Sequence, residues 1–249
     1  MSGIVFIISA PSGSGKSTLT AELRRVVPGL EFSISYTTRQ PRGSEQNGRE
    51  YFFITRPEFE NMIREGQFLE YAEVFGNCYG TARSFLRQAF AWGNDLILDI
   101  DVQGAAQVKK RLPEAVSIFI LPPSRQELER RLRRRTLVES ETRLVLTGDG
   151  QPPQDIEAII QRRLQEASRE IENYSQYDYI LVNENVEPTI DVLQAIVKAE
   201  RLKRSPTQRT ADDGMVMTTA ELAGRQQMME QVQTILETFD LTRPNIHRE

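Results

Sequence analysis

The chain has 249 residues, 39% of them hydrophobic and 27% charged, and a net charge of −4; that length suits one or two domains with a substantial core, and no apolar run approaches the ~20 residues of a membrane helix. One cysteine, Cys78, excludes an internal disulfide framework or a cysteine-held metal cluster, and one histidine, His247, argues against a histidine-based triad or dyad. The negative balance gives no general attraction to nucleic acid or to an anionic membrane.

No basic leader precedes the first apolar run, so no signal peptide is expected and the expected compartment is the cytoplasm. Ile4 to Ser9 (IVFIIS) reads as a buried parallel strand. The loop Ala10 to Gly15 leads into a helix over Ser17 to Val27, with Leu19, Leu23 and Val26 on one stripe and Pro28–Gly29 as the stop. Residues 32–51 are polar, with short strand-like pieces; a helix follows from Pro57 to Glu65, then short strands and turns over 68–81. Leu96 to Ile100 (LILDI) is a second buried strand, followed by a helix containing Ala105, Ala106 and Val108. A third strand, Val116 to Leu121, is closed by Pro122–Pro123, and Ser124 with Glu127 has the spacing of a capping box. A helix over Asp155 to Tyr174, a strand over Tyr179 to Val182 and a helix over Ile190 to Leu202 complete the series.

Strands alternating with helices specify an α/β fold, a core with a mostly parallel sheet flanked by helices. The β-rich stretch at 33–82 breaks that rhythm and reads as a small inserted subdomain. Residues 136–154 include Gly148, Asp149, Gly150, Pro152 and Pro153, which is loop chemistry. Beyond Ser205–Pro206, Thr218 and Glu221 form a second capping-box pair. Leu222, Met229, Val232, Leu236 and Phe239 then fall at heptad-like spacing, predicting one amphipathic helix over 219–239. Its stripe is expected to cover an apolar patch on its own chain or on a second copy, so a homo-oligomer is a candidate assembly.

Ala10-Pro11-Ser12-Gly13-Ser14-Gly15-Lys16-Ser17 is a near match to the phosphate-loop pattern G-x-x-x-x-G-K-[ST], with Ala10 in place of the first glycine. The chemistry needs these residue types. Glycines let backbone N–H groups turn toward phosphate oxygens, Lys16 reaches the β- and γ-phosphates, and the Ser17 hydroxyl can ligate Mg²⁺. The following helix adds the positive end of its dipole, and Thr18 belongs to its first turn. A buried strand before and a helix after are the context that separates this motif from an ordinary Gly/Ser turn.

Further motifs narrow the field. Ser35-Tyr36-Thr37-Thr38-Arg39-Gln40-Pro41-Arg42-Gly43, Asn47-Gly48-Arg49-Glu50-Tyr51, Glu70-Tyr71-Ala72-Glu73, Gly76-Asn77-Cys78-Tyr79-Gly80-Thr81 and Leu98-Asp99-Ile100-Asp101-Val102-Gln103-Gly104 occur in this order. Together with the phosphate loop, over residues 3–203, they closely resemble the guanylate kinase family. The resemblance implies a GMP-binding subdomain at 33–82, a lid at 134–156 and an extension over 204–249 outside the family's pattern. It also implies the reaction ATP + GMP ⇌ ADP + GDP.

On their own residues, Arg39 and Arg42 are two guanidinium forks able to grip a monoester phosphate, or else solvated surface charges. The resemblance adds Ser35, Tyr51 and Tyr79 to that cradle. A carboxylate at Glu70 can accept from the adjacent N1–H and N2–H₂ donors of guanine, whereas adenine presents an acceptor at N1. The resemblance assigns that role to Glu70 and places Thr81 beside the base. Asp99 and Asp101, at the C-terminal end of a buried strand, are candidates for holding the acceptor or orienting Mg²⁺ through water, with capping of the next helix as the alternative. Of the six arginines in 124–135, the resemblance points Arg131 and Arg135 at the triphosphate, joined by Arg163. Arg125, Arg130, Arg133 and Arg134 read as a solvated face.

No general base is required, because the attacking phosphate oxygen has a second pKa near ~6. Catalysis reduces to positioning and charge neutralisation, with Lys16, Arg39, Arg131, Arg135 and Arg163 as the catalytic set. The subdomain and lid are expected to close over both nucleotides and exclude water. Two other readings compete. A kinase for another nucleoside monophosphate is opposed by Glu70 with Thr81. A non-catalytic binding module of the same fold is opposed by an intact Gly13, Gly15, Lys16, Ser17, Arg39, Arg42 and Glu70.

Overall fold

The computed structural model describes residues 3–74, 76–147, 156–205 and 210–241. In chain order the elements are β1 (Val5–Ser9), α1 (Lys16–Val26), β2 (Leu30–Phe32), β3 (Tyr36–Thr37), β4 (Phe52–Phe53), α2 (Arg56–Arg64), β5 (Phe68–Val74), β6 (Asn77–Ala82) and α3 (Arg83–Ala91). They continue with β7 (Asp95–Asp99), α4 (Val102–Arg111), β8 (Val116–Leu121), α5 (Arg125–Thr147), α6 (Ile156–Ile171), a 3₁₀ turn (Glu172–Gln176), β9 (Tyr179–Val182), α7 (Val186–Arg204), α8 (Ala211–Leu222) and α9 (Met229–Thr238).

Two compact units divide the chain. One is Met1–Ser9 with Val27–Ser117; the other is Ala10–Val26 with Ile118–Glu249. In the first, β1 and β2 both pair with β7 in parallel, with Val5 opposite Leu96 and Leu30 opposite Asp95. Phe6, Ile7, Ile8, Ile97 and Leu98 are fully buried, as continuous apolar strands of a covered parallel sheet should be. The same unit carries a second sheet in the order β4-β3-β6-β5. Its β5–β6 hairpin is antiparallel, and the register shifts between Phe68 and Glu70. Such a shift bends a strand and re-aims its side chains, here at the residue expected to read the base. Phe59 and Phe68, with ring centroids 4.5 Å apart, pack beneath that hairpin, and a Cβ on Gly80 would come within 3 Å of the Phe68 ring.

In the second unit, β8 and β9 run parallel with Ile118 opposite Tyr179. Helix α1 packs on α7, and α7 on α8. Leu128, Leu132, Ile160, Leu164, Leu193 and Ile196 make a core with at most 2% exposure.

Four elements differ from the sequence expectation. Helix α3 was not anticipated, although Phe85, Leu86, Ala89 and Phe90 have helical spacing and Gly93, with φ 73°, supplies the stop. Where a loop was expected from Thr136, α5 runs on to Thr147; every Gly and Pro of that stretch lies within 148–153, outside the described residues. The helix predicted to reach Tyr174 ends at Ile171 and tightens into the 3₁₀ turn.

The tail is two helices rather than one. Around Gly224 the backbone leaves the helix to pair antiparallel with β9: Ile180 N–H donates to Ala223 C=O (2.9 Å) and Arg225 N–H to Asp178 C=O (3.1 Å). Groups spent on a strand ladder cannot continue an i→i−4 ladder. The capping box is Thr210 with Asp213. Thr218 instead lies inside α8 and donates to Gly214 C=O (3.1 Å). Of the predicted stripe, Val232, Leu236 and Phe239 are buried within this unit, while Leu222 and Met229 are exposed.

Candidate active site

The phosphate loop leaves β1 and enters α1, with Gly13 and Gly15 at φ 94° and 90°. Side chains rarely adopt such angles, and space forbids them as well: a Cβ on Gly15 would lie 2.4 Å from the Asn183 amide nitrogen. Ser14 N–H donates back to Pro11 C=O (3.0 Å), closing the turn. The Ser14 C=O accepts from the buried Asn183 amide at 2.7 Å. Ser14 is 1% exposed, and its hydroxyl has no hydrogen-bond partner within the protein. An orphaned buried hydroxyl inside a Gly-rich loop marks a place for a polar ligand. Ser12, Ser17 and Thr18 are exposed, and Lys16 opens α1.

Arg131 is placed in the same unit. Its Nε donates to Glu127 Oε1 (2.7 Å), and its Nη2 donates to the backbone carbonyls of Asn183 (3.0 Å) and Glu184 (3.3 Å). Hydrogen bonds from Arg130 and then Arg131 hold the Glu127 carboxyl down at about 2. The Ser124 hydroxyl accepts the Glu127 N–H (3.2 Å) as expected of a helix cap, but the Glu127 carboxylate faces the two arginines. Arg163 Nη1 approaches Thr136 Oγ1 at 3.4 Å, and Arg135 lies on the exposed face of α5. Arg133 joins Glu129 on its own helix to Glu157 on α6, an exposed pairing worth little to stability.

The acceptor-side residues belong to the other unit. Arg39 is 8% exposed and forks onto Glu45 in bidentate fashion, Nη1 to Oε2 at 2.9 Å and Nη2 to Oε1 at 3.0 Å. The Tyr51 ring lies 5.3 Å from the guanidinium carbon, and Tyr79 stands edge-on to Tyr51 at 5.9 Å. Ser35 is buried at the head of β3, and the backbone N–H of exposed Arg42 also donates to Glu45 (2.7 Å). Sequence reasoning therefore named Arg39, Tyr51 and Tyr79, which cluster, and missed the carboxylate that holds Arg39. Glu45 occupies the fork as a bidentate anion, the role a phosphate would take. Burial opposes the charge on Glu45, but the Arg39 hydrogen bonds keep its carboxyl below the usual range.

Glu70 is 3% exposed and sits opposite Thr81, which is fully buried. Burial pushes the Glu70 carboxyl up to about 7; Asp101 adds to this, while Thr81 and Arg111 work against it. The Thr81 hydroxyl, fully buried, faces the Glu70 carboxyl, and its hydrogen bonding is what favours the ionised form. Gly104 makes room for the carboxylate, since a Cβ there would lie 2.5 Å from Glu70 Oε2. Asp99 ends β7. Asp101 caps α4, its Oδ1 accepting the Gly104 N–H at 2.8 Å. A buried acid that ionises only at a cost is suited chemically to partners that donate hydrogen bonds to it.

Comparison with known proteins identifies the family. The family model described as "Guanylate kinase" matches residues 3–200. The chain belongs to the guanylate kinase family. A guanylate kinase of Koribacter versatilis is 59% identical over 98% of this chain and 99% of its own length. The Escherichia coli K12 guanylate kinase is 44% identical over 84% of this chain and 94% of its own. A crystal structure of the guanylate kinase from Anaplasma phagocytophilum superposes with a TM-score of 0.62 at 30% identity, covering 88% of this chain and 96% of that one. The activity is that of a guanylate kinase, ATP-dependent phosphorylation of GMP. Helices α8 and α9 lie beyond the family match.

Guanylate kinases are nucleotide kinases, which generally use a divalent metal. The residues here fit one. Among the described residues no group of three His, Cys, Asp or Glu forms a protein cage, and the exposed Ser17 hydroxyl offers a single hard oxygen behind the loop. That donor set suits a small cation held mainly by nucleotide phosphates and water. Besides Glu45, sequence reasoning missed Asn183 and the roles of Gly104 and Glu127. Asn183 follows a buried strand at its C-terminal end, where α/β folds bind ligands, and Gly104 interrupts a helix at a cost of ~1 kcal/mol. Both are signals a closer reading could have used.

Proposed function

We propose that two residue sets carry the phosphorylation of GMP. The loop Ala10 to Ser17, with Lys16 and Thr18, holds the ATP phosphates, and Arg131, Arg135 and Arg163 neutralise the transferring phosphoryl group. Mg²⁺ held through the Ser17 hydroxyl and the phosphates would add charge neutralisation. Ser35, Arg39, Arg42, Tyr51 and Tyr79 hold the GMP phosphate, for which Arg39 exchanges its Glu45 partner. Glu70 and Thr81 read the guanine, with Asp99 and Asp101 beside the acceptor. The proposed acceptor set extends to dGMP, which carries the same base and the same phosphate. The acceptor oxygen is already ionised near neutral pH, so what remains is alignment with the γ-phosphorus and neutralisation of the transferring charge. Among the described residues no helix is long and apolar enough to cross a membrane, and we place the protein in the cytoplasm.

The observation that carries the base assignment is the buried Glu70 carboxyl, pushed up to about 7, opposite the buried Thr81 on the neighbouring strand. Guanine supplies the donors that make ionisation of Glu70 favourable; adenine does not. The test is ADP formation from Mg·ATP with GMP, dGMP, AMP, CMP and UMP. Turnover confined to GMP and dGMP is expected. Equal turnover of AMP would refute the role of Glu70, and loss of turnover with every acceptor would point to a binding module.

A further inference from the structure

The C-terminal segment touches both supports of Arg131. At one end, Ala223–Arg225 adds a short antiparallel stretch to β9 through Ile180 N–H to Ala223 C=O and Arg225 N–H to Asp178 C=O. Directly after β9 come Asn183 and Glu184, whose carbonyls accept from Arg131. At the other end, α9 meets the N-terminus of α5. The first N–H of that helix, on Arg125, has no partner within the helix. It donates to Thr238 Oγ1 at 3.0 Å, a cap supplied from 113 positions away in sequence.

Thr238 is held in place for this. Its hydroxyl donates to Ile235 C=O (2.7 Å). Asp240, the one described non-glycine residue with positive φ (57°), closes α9, and Leu241 N–H returns to Leu236 C=O at 3.0 Å. Val232, Ile235, Leu236 and Phe239 are each at most 5% exposed, so this end is packed rather than frayed. In the same first turn of α5, Glu127 accepts from Arg131, one turn further on, at 2.7 Å.

Arg131 is thus suspended between α5, which carries it, and the two residues that follow β9, which receive it, and the tail is bonded to α5 and to β9. We infer that the C-terminal segment is a splint that fixes α5 against β9 and so positions Arg131, making Thr238 a positioning residue for the triphosphate side of the reaction. The inference rests on the assignment of Arg131 to the triphosphate.

The test is a double-mutant cycle in the full chain, with Thr238→Val, Arg131→Met and both together. The readouts are kcat, affinity for ATP, affinity for GMP and melting temperature. Loss of one cap predicts that Thr238→Val lowers kcat/KM for ATP about five-fold, leaves GMP affinity unchanged and costs nothing further in the Arg131→Met background. Thr238→Ser, which keeps the hydroxyl, restores the wild-type values. A lower melting temperature with unchanged ATP kinetics would overturn the splint, as would an equal loss with and without Arg131. If Arg131→Met alone leaves kcat untouched, the assignment of Arg131 fails and the splint falls with it.

Discussion

Glu70→Gln separates the cost of the site from its use. The folded carboxyl titrates near 7, against 4.5 for an ordinary glutamate. Below pH 4.5 the group is protonated whether the chain is folded or not, and its burial is uncharged. Between 4.5 and 7 the unfolded chain releases this proton first, so stability falls as pH rises; above 7 the loss is complete. At roughly 1.4 kcal/mol per tenfold change in proton affinity, the loss approaches about 3 kcal/mol. Glutamine keeps the shape without the charge, so Glu70→Gln is expected to be the more stable protein at pH 8, by up to about 3 kcal/mol, and no more stable at pH 4. Activity moves the other way. Two charge-assisted hydrogen bonds to guanine become one or two neutral ones, and kcat/KM for GMP falls roughly 10²–10⁴-fold. Urea melts across pH 4–8, paired with GMP kinetics, measure both. A stability difference independent of pH would refute the argument that burial of this carboxyl is what raises its pKa.

Two further substitutions probe the supports of each nucleotide. Gly104→Ala sets a methyl 2.5 Å from the Glu70 carboxylate; the side chain yields, so stability drops only ~1–2 kcal/mol, but the KM for GMP rises about tenfold or more while the KM for ATP stays put. Asn183→Ala removes the 2.7 Å hydrogen bond to Ser14 C=O and strands that carbonyl, at ~1–3 kcal/mol. It is expected to weaken ATP binding with GMP binding intact, measured by calorimetry on each nucleotide separately.

Much of this site was legible without coordinates because its chemistry is local. A phosphate loop is one contiguous stretch whose residues perform backbone work, so Gly13, Gly15 and Lys16 declare themselves. Buried parallel strands declare themselves too, being apolar without interruption. Where the reading slipped, non-local bonds decided. The tail stripe from Leu222 to Phe239 has helical spacing throughout, but β9 offers a strand edge that captures the backbone at Gly224 and splits the helix. Glu127 has capping-box spacing, but Arg130 and Arg131 attract its carboxylate more strongly than the helix end does.

The sequence by itself determined the α/β class, the phosphate loop and the family, because short-range spacing and composition carry those. Only the tertiary structure decided that Glu70 is buried against Gly104, that Glu45 holds Arg39, that Asn183 braces the loop and that Thr238 caps α5. Each of these joins residues that are distant in sequence or on different elements, and the energies involved, burial of a charge or pairing of an orphaned backbone group, exist only once the chain has removed those groups from water.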